Sequence, residues 1–154
     1  MVFLTSQGLT SVNPQIKMIR PFDDVTYPVF ISGKFGALRH TEGGGNCRIH
    51  SGIDYKLDKG THLLAMADGV IEFAGDSETG YGWLIIINHG NGIKTYYAHL
   101  SKQWILEGQT VKQGQKIAEV GNNGNSRGYH VHIEVRENNV PVHPSKYIFY
   151  QKNV

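Results

Sequence analysis

At 154 residues the chain can bury about two-thirds of its unfolded surface, enough for one core without covalent staples. Fifteen basic against 13 acidic side chains leave a formal net charge of +2, which gives no footing for nucleic-acid binding. A single cysteine, Cys47, excludes an intrachain disulfide, and the longest apolar run, Leu84 to Ile87, is far too short to span a membrane.

Residues 1–28 read as an irregular N-terminal extension, polar and interrupted by Pro14, Pro21 and Pro28. The opening Met1-Val2-Phe3-Leu4-Thr5 has neither a basic region nor a sustained apolar stretch, so no secretory signal is visible. From there a single domain is expected over residues 29–154. Val29-Phe30-Ile31 leads into Gly33 and Gly36, and Glu42-Gly43-Gly44-Gly45-Asn46 predicts a flexible loop just before His50. Strand patterns follow at 49–57, 62–67, 69–74, 83–89, 92–99, 110–112, 116–121 and 130–136. Asp68-Gly69, Asn88 to Gly92 and Asn138-Asn139 supply turns between them. Only Ser101 to Glu107 has the pattern of a helical turn. Short strands at this spacing predict an all-β, mainly antiparallel fold, a sandwich or barrel. Cys47 reads as a small core residue rather than a nucleophile.

Two stretches carry the chemistry. Around His50-Ser51-Gly52-Ile53-Asp54, the residues Ile49, Ile53, Tyr55 and Leu57 alternate with His50, Gly52, Asp54 and Lys56. Around His130-Val131-His132, the residues Val131, Ile133 and Val135 alternate with His130, His132, Glu134 and Arg136. Side chains alternate faces along a strand, so His50 and Asp54 should share one face, and His130 and His132 another. Imidazoles and a carboxylate converging from two strands suit a divalent transition metal, zinc first. Each motif alone fits solvated strand residues; together they supply the three protein ligands of a catalytic zinc, with either His130 or His132 able to serve. His40, His62 and His143 fit solvent-facing or loop-capping roles, and His89 falls in a hairpin turn. There is no His-Glu-x-x-His, no Gly-x-Ser-x-Gly elbow, and the run Gly121 to Gly128 lacks the Lys-Ser/Thr ending of a phosphate loop. That run is better read as a mobile wall beside His130.

These residues resemble the M23 (lysostaphin/LytM-type) zinc endopeptidases of peptidoglycan. His50-x-Gly52-x-Asp54 and His130-x-His132 look like the family's metal signatures, Tyr97-Ala98-His99-Leu100 like its third motif, and Ala67-Asp68-Gly69-Val70 like its strand–turn–strand. The stretch Val111 to Ala118, with Val120-Gly121, resembles the approach to the last motif, and the likeness runs from about Gly33 to Tyr147. Tyr129 stands where proline is usual, and Arg127 where threonine is common. The resemblance implies an open groove floored by a sheet over a sandwich-like core. It implies one zinc per chain held by His50, Asp54 and His132, and unliganded catalytic histidines at His99 and His130. It implies hydrolysis of peptidoglycan cross-links or stem peptides, at a D-alanyl–diaminopimelate bond in preference to glycyl–glycine. Non-catalytic members that bind the wall or activate a hydrolase usually lack the metal ligands, which this chain keeps. A lipoyl-carrier-like module would need a lysine at a hairpin tip that the sequence does not offer. With no visible signal or wall-binding repeat, the expectation is a monomeric phage- or prophage-type lytic enzyme. It would be made in the cytoplasm and act at the cell wall or periplasm on peptidoglycan peptides, with no nucleic acid and no membrane span.

Overall fold

The computed structural model describes residues 15–23, 25–40 and 45–149. Its regular structure is almost all strand, and every strand pairing among those residues is antiparallel. The strands in chain order are β1 (Phe30–Gly33), β2 (Leu38–His40), β3 (Cys47–Ile49), β4 (Ile53–Lys56), β5 (His62–Leu64), β6 (Gly69–Asp76) and β7 (Trp83–Asn88). They continue as β8 (Ile93–Ala98), β9 (Leu100–Gln103), β10 (Thr110–Val111), β11 (Lys116–Val120), β12 (His130–Glu137) and β13 (Val140–Val142). An eight-stranded sheet runs β1-β4-β12-β8-β7-β6-β10, with β13 paired to β12. A three-stranded sheet, β5-β11-β9, and the β2–β3 hairpin complete the set.

The two larger sheets share one apolar core. Leu63, Ile117, Ala118 and Val120 of the small sheet join Ile71, Ile85, Ile87, Tyr97, Val131, Ile133 and Val135 of the large one. The period-2 pattern of β12 explains which face this is, since Val131, Ile133 and Val135 are fully buried while the histidines alternate to the other side. Tyr97 is buried in the same core, and its hydroxyl accepts the Met66 N–H at 2.8 Å, so the phenol brings its own polar partner. Residues 15–23 are tied in rather than trailing: Met18 and Phe22 are core residues, with backbone bridges to Ile148 and Leu63.

Three local expectations fail, each for a long-range reason. The segment 49–57 is not one strand, because His50 to Gly52 break between β3 and β4. His50 is pinned elsewhere, its N–H donating to Ala37 O and its carbonyl accepting from Gly36. Ser101 to Glu107 is not helical: residues 100–103 form β9 against β11, and the chain then turns, with Gln109 N–H donating to Leu106 O. Cys47 is exposed, 3.2 Å from His40 Nδ1 across the β2–β3 hairpin, not in the core. The short hairpin strands β2, β3 and β13 carry too few residues to show an alternating pattern. Most of the expected glycine-rich loop at 42–46, and residues 1–14 of the N-terminal stretch, lie outside the described residues.

Candidate metal centre and active site

Strand register builds the first half of the site. His132 on β12 is paired with Asp54 on β4 and with Ala98 on β8, so the carboxylate and the imidazole stand side by side on the sheet face opposite the core. Gly52 allows this closeness: a Cβ there would meet Ile133 O at 2.2 Å and His132 Cε1 at 3.0 Å. His50 arrives from the bend before β4, its ring fixed by Nδ1–H donating to Lys34 O at 2.9 Å. His50 Nε2 lies 3.1 Å from Asp54 Oδ1 and 3.2 Å from His132 Nδ1, and His132 Nδ1 lies 2.7 Å from Asp54 Oδ1. All three residues are buried.

The hydrogen-bond partners suit this cluster to a cation by chemistry as well as by distance. A carbonyl only accepts, so His50 carries its proton on Nδ1 and presents a lone pair at Nε2. His132 donates Nε2–H to Glu134 Oε1 at 2.9 Å and presents a lone pair at Nδ1. Two imidazole lone pairs and a carboxylate oxygen therefore face one another, an arrangement that a cation satisfies. Four tetrahedral zinc ligands at 2.0–2.1 Å would sit about 3.3 Å apart, close to the spacing found here. No fourth protein ligand belongs to the cluster among the described residues.

The surroundings hold the ligands in place. Arg39 NH2 donates to Asp54 Oδ2 at 2.9 Å, leaving Oδ1 for the site. Burial alone would raise the Asp54 carboxyl, but the adjoining His132 and His50 rings, which a charged carboxylate would hold as donors and cations, outweigh it and hold it well below the usual carboxylate range. Glu134 is fully buried and accepts from Ser51 at 2.5 Å, Tyr81 at 2.6 Å, Arg136 Nε at 2.7 Å and His132. Against the cost of burial, these donors bring it down to about 2. Burial would lower His132, yet the carboxylates of Asp54 and Glu134 on its two nitrogens favour the charged ring and raise it, so the field at this imidazole favours added positive charge.

The second half of the site hangs on backbone carbonyls of one loop. His99 donates Nδ1–H to Asn123 O at 2.7 Å, and His130 donates Nδ1–H to Gly128 O at 2.8 Å. Both rings thus present Nε2 lone pairs; their centroids are 4.8 Å apart, and His130 Nε2 lies 3.9 Å from Asp54 Oδ1. His99 has φ of 64°, a left-handed conformation uncommon for a residue with a Cβ, and its N–H donates to Tyr81 O at 3.0 Å. Burial depresses its pKa to about 4, so the ring is neutral at physiological pH. Asn122 Oδ1 accepts from both Ser126 Oγ and Gly128 N, closing the loop, while Trp83 N–H donates to Asn123 Oδ1. The run Gly121 to Gly128 therefore does form a wall beside His130.

All five residues singled out from the sequence meet in one place. The other histidines do not. His40 and His62 are exposed, and His143 accepts from Ser145 N–H to cap the turn Pro144–Lys146. His89 lies in the β7–β8 hairpin, yet it is more than a turn residue, bridging Asp68 O and Thr95 Oγ1 from its two nitrogens. Sequence reasoning did not single out Arg39, Tyr81, Asn122 or Glu134. Glu134 had a signal, since it alternates onto the His132 face, and Asn122 lies within the Gly121–Gly128 run; Arg39 and Tyr81 are joined to the site only through tertiary contacts.

The chain is similar to known proteins in both sequence and fold. The chain is 48% identical over 97 residues to the DD-carboxypeptidase/endopeptidase Mpg of Neisseria meningitidis serogroup B, covering 63% of this chain and 22% of that protein. It is 40% identical over 114 residues to the murein hydrolase activator NlpD of Escherichia coli, covering 74% of this chain and 28% of the relative. The chain thus spans about a quarter of the length of these curated relatives. A zinc-containing peptidase from Vibrio cholerae superposes with a TM-score of 0.74 at 32% identity, over 83% of this chain and 39% of that one. The pattern of peptidase family M23 matches residues 48–144. This all-β chain belongs to peptidase family M23.

Proposed function

We propose that the chain is a zinc-dependent endopeptidase that hydrolyses peptide bonds in peptidoglycan cross-links or stem peptides. The observation that carries this is the meeting of three buried ligand atoms, His50 Nε2, Asp54 Oδ1 and His132 Nδ1, with two further imidazoles, His99 and His130, beside them. Zinc held by these three would supply Lewis-acid activation of a peptide carbonyl and of water near neutral pH. His130, its Nδ1 committed to Gly128 O, has Nε2 available to accept a proton or return it to the leaving amine. His99, held neutral by burial and aimed by Asn123 O, offers a second proton-handling or oxyanion-stabilising group. Glu134 keeps the His132 ring oriented, Lys34 O the His50 ring, and Arg39 the Asp54 carboxylate.

Relatives named as an endopeptidase and as a hydrolase activator both match, so fold alone does not decide activity. The complete ligand set and the paired histidines favour catalysis. The likeness to a protein named as a DD-carboxypeptidase/endopeptidase favours the D-alanyl–diaminopimelate bond over glycyl–glycine. The work would then take place at the cell wall or in the periplasm. The deciding experiment digests purified Gram-negative and Gram-positive sacculi with the zinc-loaded chain and identifies fragments by mass. New D-alanyl termini in the Gram-negative digest are expected. Zinc-loaded protein that releases nothing from either wall, yet stimulates an added hydrolase, would establish the activator reading instead.

A further inference from the structure

A carboxylate with no exposure needs a reason to stay charged, and Glu134 has more partners than a structural ion pair would require. Its Oε2 alone satisfies Arg136, whose guanidinium also lies over the Tyr96 ring at 4.2 Å. Its other oxygen, Oε1, accepts three more hydrogen bonds, from Ser51, Tyr81 and His132 Nε2. Arg136 NH2 in turn donates to Tyr81 Oη at 3.0 Å, so the phenol is itself fixed from behind. The whole cluster therefore points one acceptor at one ring nitrogen.

We propose that Glu134 is a positioning residue for the metal centre. Its carboxylate, clamped by Ser51, Tyr81 and Arg136, accepts the Nε2–H of His132 and so commits Nδ1 to the metal. An imidazole that loses this acceptor can flip or change tautomer, and Nδ1 then carries a proton where a lone pair is needed. The negative charge also makes the ring a better donor to a cation. Ser51 and Tyr81 come from separate segments, the bend before β4 and the turn before β7, so the clamp joins the His50 and His99 sides of the site through one acceptor. Tyr81 reinforces this, because its carbonyl accepts the His99 N–H while its hydroxyl holds Glu134.

This rests on the zinc reading, and the test separates the two. Zinc stoichiometry and affinity are measured by chelator competition for the full chain and for Glu134→Gln, Ser51→Ala and Tyr81→Phe, with a thermal melt of each. Glutamine keeps the size and one acceptor but loses the charge, and its NH2 group must face a donor. Glu134→Gln is expected to bind zinc about 10- to 100-fold more weakly, and the two flanking variants more weakly than wild type by smaller factors. Long-range imidazole 1H–15N spectra of the zinc-loaded proteins should show the His132 Nε2–H signal shifted or broadened in Glu134→Gln, a change that loss of packing alone would not produce. Affinity within about threefold of wild type, with a lowered melting temperature, would leave Glu134 a structural residue and overturn the proposal. If Glu134→Gln does not fold, unchanged zinc affinity in both Ser51→Ala and Tyr81→Phe overturns it equally. A wild-type chain that binds no zinc would overturn the metal reading itself.

Discussion

The two halves of the site are built on different principles. His132 and Asp54 are placed by the register of β12 against β4, and with His50 they are locked by side chains and backbone on all sides: Arg39, Glu134 and Lys34 O. His99 and His130 are instead aimed by two carbonyls of a single glycine-rich loop, held closed by Asn122. Sheet register is set cooperatively by many pairings, whereas a loop conformation depends on a few hydrogen bonds. Metal binding and turnover should therefore be separable by mutation.

The largest effect expected is on the sheet side. Asp54→Ala removes the charged ligand and leaves two imidazoles, and the chain should lose zinc and activity together. Metal analysis after dialysis, beside a wall-digestion assay, checks this. Full zinc occupancy with His50 and Asp54 both replaced would sink the assignment. On the loop side, His99→Ala and His130→Ala should retain one zinc per chain while turnover falls about 10²- to 10⁴-fold, the usual worth of acid–base help. If His130→Ala loses its metal and His132→Ala keeps it, the two roles have been exchanged.

The same contrast governs what could be seen in the sequence. Strand parity placed His130 and His132 on one face because β12 is a long, regular strand with Val131, Ile133 and Val135 buried opposite. The same argument applied to His50 and Asp54 reached the right outcome through a wrong element, since His50 sits in a bend pinned to residues 34–37. Parity left open which histidine of β12 binds metal. The geometry favours His132 for the proposed site: Glu134 turns His132 Nδ1 toward Asp54, while Gly128 O takes the corresponding nitrogen of His130. Carbonyls carry no side-chain signature, so the aiming of His99 and His130 was invisible in the residue pattern. β9 was misread for a related reason, as its strand character comes from pairing with β11, some 18 residues on, and not from its own composition.

A smaller effect would sharpen the comparison from within the loop. Asn122→Ala removes the acceptor shared by Ser126 Oγ and Gly128 N, without touching either histidine. Each such hydrogen bond contributes about 1 kcal/mol, so turnover should drop by roughly fivefold to tenfold with zinc affinity unchanged. Equal losses of zinc and turnover would mean that the loop supports the metal as well, and the division drawn above would fail.

The last effect is on stability, and it isolates His99. Burial lowers its folded pKa from 6.5 to about 4, so between these values the unfolded chain binds the proton more readily than the folded one. Stability is then greatest above about pH 6.5 and declines as the pH falls towards 4, by at most about 1.4 kcal/mol per pH unit from this group. His99→Asn is the informative variant, because asparagine tolerates the positive φ that His99 adopts and carries no titrating group. Denaturant melts of metal-free wild type and His99→Asn at pH 7.5, 6.5, 5.5 and 4.5 should converge as the medium becomes acidic. A bound divalent cation nearby would disfavour the imidazolium further, so the zinc-loaded protein should keep the same sign. A difference between the two chains that stays constant with pH would mean that His99 titrates normally. Burial would then not hold it neutral, and its proton-handling role would have to be argued from a charged ring.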